Sequence, residues 1–233
     1  MRAHAALGLV AFAIRYDWRT AEAELKRALA LDPSFAPARQ WESLDLLYTG
    51  RMEEALAESR KSLELDPVSL HGLIDDGMVS YYSRRYQEAA GKARKILEMD
   101  PGFREAHLML GMAMEGLQDW GAAEREYHAA SLASTGETLR VPRGWRVSMP
   151  LSGRASKARQ ILGRLLHPAR DQYVDPYQVA FVLTALGDSD QALEWVERAI
   201  RQHTAMTIKV DPYLDPLRGR PEFQRLLTEA HLN

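Results

Sequence analysis

Apolar residues along the chain recur at intervals of three and four, the period of a helix with one buried face. Leu25, Ala28 and Leu29 form one such stripe, and Val196, Ala199 and Ile200 form another. Phe223, Leu226, Leu227 and Ala230 form a third and predict a final amphipathic helix over about 221–231. The apolar run from Ala5 to Ile14 fits the same scheme as a first helix. Arg2 before it and Ala11-Phe12-Ala13 within it resemble parts of an export signal. The run nevertheless falls in the register of the repeats set out next, so we read it as part of the fold. No apolar run reaches the roughly 18–20 residues that a membrane-crossing helix needs, and no membrane insertion is expected.

The stripes themselves repeat. Leu31-Asp32-Pro33, Leu65-Asp66-Pro67 and Met99-Asp100-Pro101 follow one another at a constant interval. Ala21, Ala55, Ala89 and Ala123 keep that interval; Ala158 comes one position late, and Ala192 keeps the interval from there. Turn-forming residues precede each alanine: Asp17-Trp18, Gly50-Arg51, Arg85-Tyr86, Asp119-Trp120, Gly153-Arg154 and Gly187-Asp188. Each proline ends a helix, because it pushes the residue before it out of the α region. Each unit therefore reads as helix, tight turn, helix, loop. The alanine is a steric demand: two closely crossing helices leave room for a methyl group and little more. Trp18, Tyr86 and Trp120, each just ahead of its alanine, fill the space beside the turn.

A helix–turn–helix unit of about 34 residues with this placement of Ala and Pro resembles the tetratricopeptide-repeat (TPR) family. The family's Leu-Gly pair is complete at Leu110-Gly111, partial at Asp76-Gly77, and replaced by Glu42-Ser43. The resemblance covers nearly the whole chain. It implies an all-α, right-handed superhelical solenoid of about six repeats with a C-terminal capping helix. Residues 1–137 are expected to hold repeats one to four. Residues 138–233 are expected to hold the weaker fifth and sixth and the cap, in one continuous array. Pro142 and Pro150 fall where the fifth repeat's first helix belongs and predict a short or kinked helix there. Pro221 suits the first turn of the cap. No cap precedes the first repeat, which implies a module of a longer protein. Tyr16-Asp17-Trp18, Tyr173-Val174-Asp175-Pro176-Tyr177, Leu186-Gly187-Asp188 and Asp215-Pro216-Leu217-Arg218 are similar to the C-terminal TPR region of certain bacterial multidomain regulators. The DNA-binding, kinase or cyclase domains of those regulators are absent from this sequence, so their activities do not carry over.

In TPR proteins the first helix of each repeat lines a concave groove that holds a peptide or partner protein. Projected onto this chain, that face comprises Gln40, Leu44, Leu47 and Tyr48, then His71, Ile74, Met78, Tyr81 and Tyr82, then Glu105, Leu108, Met112 and Glu115. Flexible Met and rigid Tyr suit peptide contacts. The alternative is that several of these side chains pack between neighbouring helices. The basic and Asn side chains with which some TPR proteins clamp a C-terminal carboxylate are missing at these places, which argues against such a clamp.

Composition narrows the chemistry. The net charge of -2 carries no signature of a nucleic-acid or anionic-membrane partner. The absence of cysteine excludes disulfides, thiolate metal sites and a cysteine nucleophile. A cysteine-free chain suits either redox state; the expected compartment is the cytoplasm, and the periplasm stays open. The seven histidines form no metal-binding spacing, and no phosphate loop or nucleophile elbow is present. No catalytic residue and no cofactor or metal is expected. Asp188-Ser189-Asp190 reads as a turn and helix cap rather than a calcium loop. Asp75-Asp76 reads as solvated helix surface rather than a proton-transfer pair.

One charged segment stands out. Residues 138–170 hold Arg140, Arg143, Arg146, Arg154, Lys157, Arg159, Arg164 and Arg170 with no acidic residue. Such an island could take an acidic protein, a phosphate or nucleic acid. It equally reads as a solvated face balanced by Glu53, Glu54, Glu58 and Glu64, because Trp145 is its only stacking aromatic. Nucleic acid is therefore the alternative and not the expected partner. Pairing of two copies through the uncapped first repeat is a further expectation.

Overall fold

The computed structural model describes residues 1–133, 155–167 and 173–232. The chain divides into two compact units, Met1–Glu137 and Thr138–Asn233. The described residues are helical and contain no strand.

The first unit is a succession of helix pairs: α1 (Arg2–Val10) with α2 (Trp18–Leu31), α3 (Ala36–Tyr48) with α4 (Met52–Leu65), α5 (Leu70–Tyr82) with α6 (Tyr86–Met99), and α7 (Arg104–Gly116) with α8 (Trp120–Leu132). Each helix packs on the next, and the first helix of each repeat also meets the first helix of the repeat before. Ala21, Ala55, Ala89 and Ala123 are fully buried. Gly111 serves the same close crossing, because a methyl group there would lie 2.4 Å from the Tyr127 ring. α2, α4 and α6 end at Leu31, Leu65 and Met99, and the aspartate before each proline is extended, with ψ of 95°, 80° and 96°. That is the conformation the following proline imposes.

Two features of the turns were not anticipated. The first repeat holds one extra residue: Gly8 lies one position further from Ala21 than Gly77 lies from Ala89 or Gly111 from Ala123. A π turn, Ala11–Arg15, absorbs it. In addition, the same position ahead of the alanine is left-handed at Tyr16, Gly50, Arg84, Gln118 and Gly187, with φ between 57° and 84°. Only two of these are glycine. A side chain in that conformation costs on the order of 1 kcal/mol, which the hydrogen bonds of the turn and the packing of the helix pair offset.

The second unit holds α9 (Ala155–Leu166), α10 (Pro176–Leu186) and α11 (Ser189–Arg201), a 3-10 turn (Pro212–Leu217), and α12 (Pro221–Glu229). Ala158 and Ala192 are fully buried, as their phase requires. α12 packs on α11 and buries Phe223, Leu226 and Leu227, so the final helix is a cap. The Asp-Pro-Leu-Arg tail is pinned by Arg218. Its guanidinium donates to the carbonyls of Lys209 (2.5 Å) and Asp211 (2.9 Å) and to the Asp215 carboxylate (2.6 Å). Asp188 caps α11 by accepting from the Gln191 amide, and Asp190 pairs with Arg220 at 2.7 Å. The Asp188-Ser189-Asp190 segment is thus a turn and cap. Pro142 and Pro150 lie outside the described residues.

Asp75-Asp76 requires a correction. Asp76 is 3% exposed, pairs with Lys92 of α6 at 2.5 Å and accepts from Ser59 of α4 at 2.7 Å. Asp75 is half-buried and accepts from Gln40 at 2.5 Å. Neither is solvated surface, because α5 is enclosed by α4, α6, α3 and α7.

Candidate functional site

The side chains expected to share one face arise from α3, α5 and α7. Two contacts tie these helices together. The Gln40 amide on α3 donates to Asp75 on α5. The His71 ring at the start of α5 meets Phe103, the residue that caps α7, edge-on at 6.3 Å between centroids. Leu44, Tyr48 and Glu105 are half-buried, and His71 is exposed. Tyr48 also leans on Phe12 and Trp18 of the first repeat, at 6.2 and 6.4 Å.

The remaining expected residues lie deeper. Ile74, Met78, Tyr81, Tyr82, Leu108 and Met112 are each at most 7% exposed, Leu47 is fully buried, and Glu115 accepts from the Tyr127 hydroxyl at 2.5 Å. The accessible part of the face is therefore Gln40, Leu44, Tyr48, His71 and Glu105, joined by Phe103 and Asp75. Those last two were not anticipated on it. Phe103 has a sequence signal: Phe35 stands two repeat lengths before it. Burial pushes the Asp75 carboxyl up to about 6, against the Gln40 hydrogen bond and nearby His71. Burial, then Asp75, pushes the Tyr48 hydroxyl up. The face thus sets Leu44, Tyr48 and Phe103 beside an amide, an imidazole and two carboxyls. It has hydrogen-bonding groups but no nucleophile held against a base.

Of the basic island, Arg140, Arg143, Arg146, Arg154 and Arg170 lie outside the described residues. Lys157, Arg159 and Arg164 belong to α9, where Arg159 and Arg164 are exposed. Among the described residues no group of three or more His, Asp or Glu side chains is arranged to hold a metal ion. No helix among them is long and apolar enough to cross a membrane.

No family model matches the chain, and no curated protein sequence does. Solved structures do. TTC0263, a thermophilic TPR protein of Thermus thermophilus, matches with a TM-score of 0.55 at 15% identity, over 100% of this chain and 99% of that one. This chain has the tetratricopeptide-repeat fold. PilF of Pseudomonas aeruginosa matches with a TM-score of 0.55 at 17% identity, over 98% of this chain and 96% of the other. A MamA RS-1 ArsTM double mutant matches with a TM-score of 0.51 at 13% identity, over 88% and 94%. At such low identity the TPR likeness concerns architecture: helix pairs stacked in sequence, with a face that successive first helices build together.

Proposed function

We propose that this chain is a non-catalytic scaffold that holds an extended or helical segment of a partner protein against the face built by α3, α5 and α7. The observation that supports this reading is the continuity of that face. Gln40–Asp75 and His71–Phe103 link three successive repeats, so side chains a full repeat apart in sequence act as one surface. Leu44, Tyr48 and Phe103 offer apolar and aromatic anchors, and Gln40, His71 and Glu105 offer polar partners for a peptide backbone. That combination is the anatomy of a peptide-binding site.

Peptides of about 12 residues displayed on phage, selected against the full chain, test this reading. Enriched peptides should lose at least about tenfold in affinity for a Leu44→Glu/His71→Glu variant whose circular dichroism is unchanged. If the enriched peptides bind that variant as well as the parent, the face is not the site. Retention of nucleic acid alone, eluting as salt rises, would favour the basic segment instead.

A further inference from the structure

Successive repeats of the first unit meet at joints of one design but different charge. Glu42, Asp76 and Leu110 share one position on α3, α5 and α7, and Asp45, Val79 and Ala113 share another, one helical turn further on. All six are buried. At the two later joints these positions are apolar, except for Asp76, which Lys92 neutralises. The joint between α2 and α3 instead buries two carboxyls, Glu42 and Asp45. Among the described residues no ion pair engages either one, and Asp45 Oδ1 has no hydrogen-bond partner.

The cations around this joint are committed to other acids. Lys26 of α2 holds Glu22 at 2.7 Å. Arg51, ahead of α4, holds Glu22 at 2.6 Å and Glu54 at 2.5 Å. Arg39 of α3 holds Glu58 of α4 at 2.7 Å, and Lys61 holds the same carboxylate at 2.6 Å. On α1, His4 is engaged with Glu24; on α5, Asp75 is engaged with Gln40 and Asp76 with Lys92. Burial, then Glu22, therefore pushes Asp45 up to about 7, against Arg51 and Lys26. Burial, then Glu58, raises Glu42, against Lys26 and Arg39. The closed joint favours the protonated acids, and an open joint gives both carboxyls to water. A folded value above the unfolded one means that closure is fully favoured below about pH 4 and loses strength as pH rises through about 7. The same joint holds Tyr48 of α3 against Phe12 and Trp18 of the first repeat, at 6.2 and 6.4 Å.

We propose that the joint between α2 and α3 is a pH-operated hinge: as Asp45 and Glu42 lose their protons, α3 loosens from α2 and Tyr48 is released from Phe12 and Trp18, while the later joints stay closed. Tyr48 also belongs to the proposed binding face, so the hinge regulates that face; this consequence rests on the binding reading, and the hinge itself does not. Hydrogen exchange of the full chain at pH 6 and pH 8, read by mass spectrometry and corrected for the intrinsic rate at each pH, tests it. Protection of the α2 and α3 amides should fall about tenfold between the two, the change expected of a carboxyl near 7 in the closed joint and about 3.9 in the open one. The amides of α6 and α7, whose joint carries Leu110 and Ala113, should keep their protection. In Asp45→Asn/Glu42→Gln the fall at α2 and α3 should shrink below about twofold. Asp45→Val, which copies Val79, is the second variant if the double one loses the parent's circular dichroism. A fall below about twofold in the parent, or one that survives in the variants, overturns the proposal. So does an equal fall at α6 and α7, since the stack would then open as one body.

Discussion

The second and third repeats share one backbone plan and differ in the electrostatics of their joints. Asp76 in the third repeat sits between Ser59 and Lys92. Its counterpart one repeat earlier is Glu42, which has Leu25 where Ser59 would be and Glu58 where Lys92 would be. Glu58 is engaged with Arg39, 2.7 Å away, an arginine whose counterpart in the third repeat is Leu73. Glu42 is 8% exposed, and burial, then Glu58, holds its carboxyl above the usual range. Asp45 is 2% exposed with Oδ1 lacking a hydrogen-bond partner, and burial, then Glu22, pushes it up to about 7. Its counterpart is Val79. The same helix crossing thus tolerates a neutralised acid in one repeat and an acid that favours its proton in the other. Van der Waals packing specifies the fold in both, and the polar residues adjust how stable each joint is.

The largest effect should come from breaking the third repeat's pair. Lys92→Met leaves Asp76 buried with only Ser59 for company. Removing one partner of a buried pair typically costs about 3–5 kcal/mol, because the remaining charge has lost its compensation. Urea unfolding should show that loss at neutral pH. A loss under about 1 kcal/mol would mean that water or Ser59 suffices for Asp76, and that the two repeats do not differ as described.

The second repeat should respond in the opposite sense. The folded carboxyl of Asp45, near 7, lies above the unfolded value of about 3.9. A raised value means that stability is fully present below about pH 4 and is lost as pH rises through about 7. Asp75, raised to about 6, acts in the same direction. Asp45→Asn removes the larger contribution. It should raise stability by about 2 kcal/mol near pH 8 and show little or no gain near pH 4. Thermal melts at both values decide the matter, and parallel shifts would show that Asp45 does not titrate in this window.

Much of this architecture is legible in the sequence, because Pro, Gly and Ala act locally. The Asp-Pro pairs give the helix ends, the phased alanines give the crossings, and Phe223, Leu226 and Leu227 give the cap. The π turn is hidden, since its extra residue lies upstream of Ala21 and leaves the alanine spacing intact. The left-handed turn residues Tyr16, Arg84 and Gln118 are hidden because none is glycine. Asp75 and Asp76 look alike in one dimension. Their difference comes from Gln40, Ser59 and Lys92, on three other helices. For the same reason the sequence groups Met78 and Tyr81 with Leu44 and His71 on one helical face, whereas depth within the stacked repeats separates them.

The smallest test carries one residue of the second repeat into the third. Gly91, exposed in α6, corresponds to Ala57, exposed in α4. A methyl group at Gly91 would meet no atom within 4 Å beyond the adjacent residues and backbone of its own helix. The substitution therefore adds no contact and removes none, and it acts through the unfolded chain, whose backbone freedom Ala reduces. Gly91→Ala should stabilise the protein by about 0.5–1 kcal/mol. This gain should be independent of pH, unlike that of Asp45→Asn, because no charge is involved. Because Gly91 lies on α6 with Lys92, combining Gly91→Ala with Lys92→Met asks whether the helix and the ion pair contribute separately. Additive changes in urea unfolding would place the repeats' difference in side-chain electrostatics alone. A combined effect departing from the sum by more than about 0.5 kcal/mol would show that the ion pair also sets the helix's local stability.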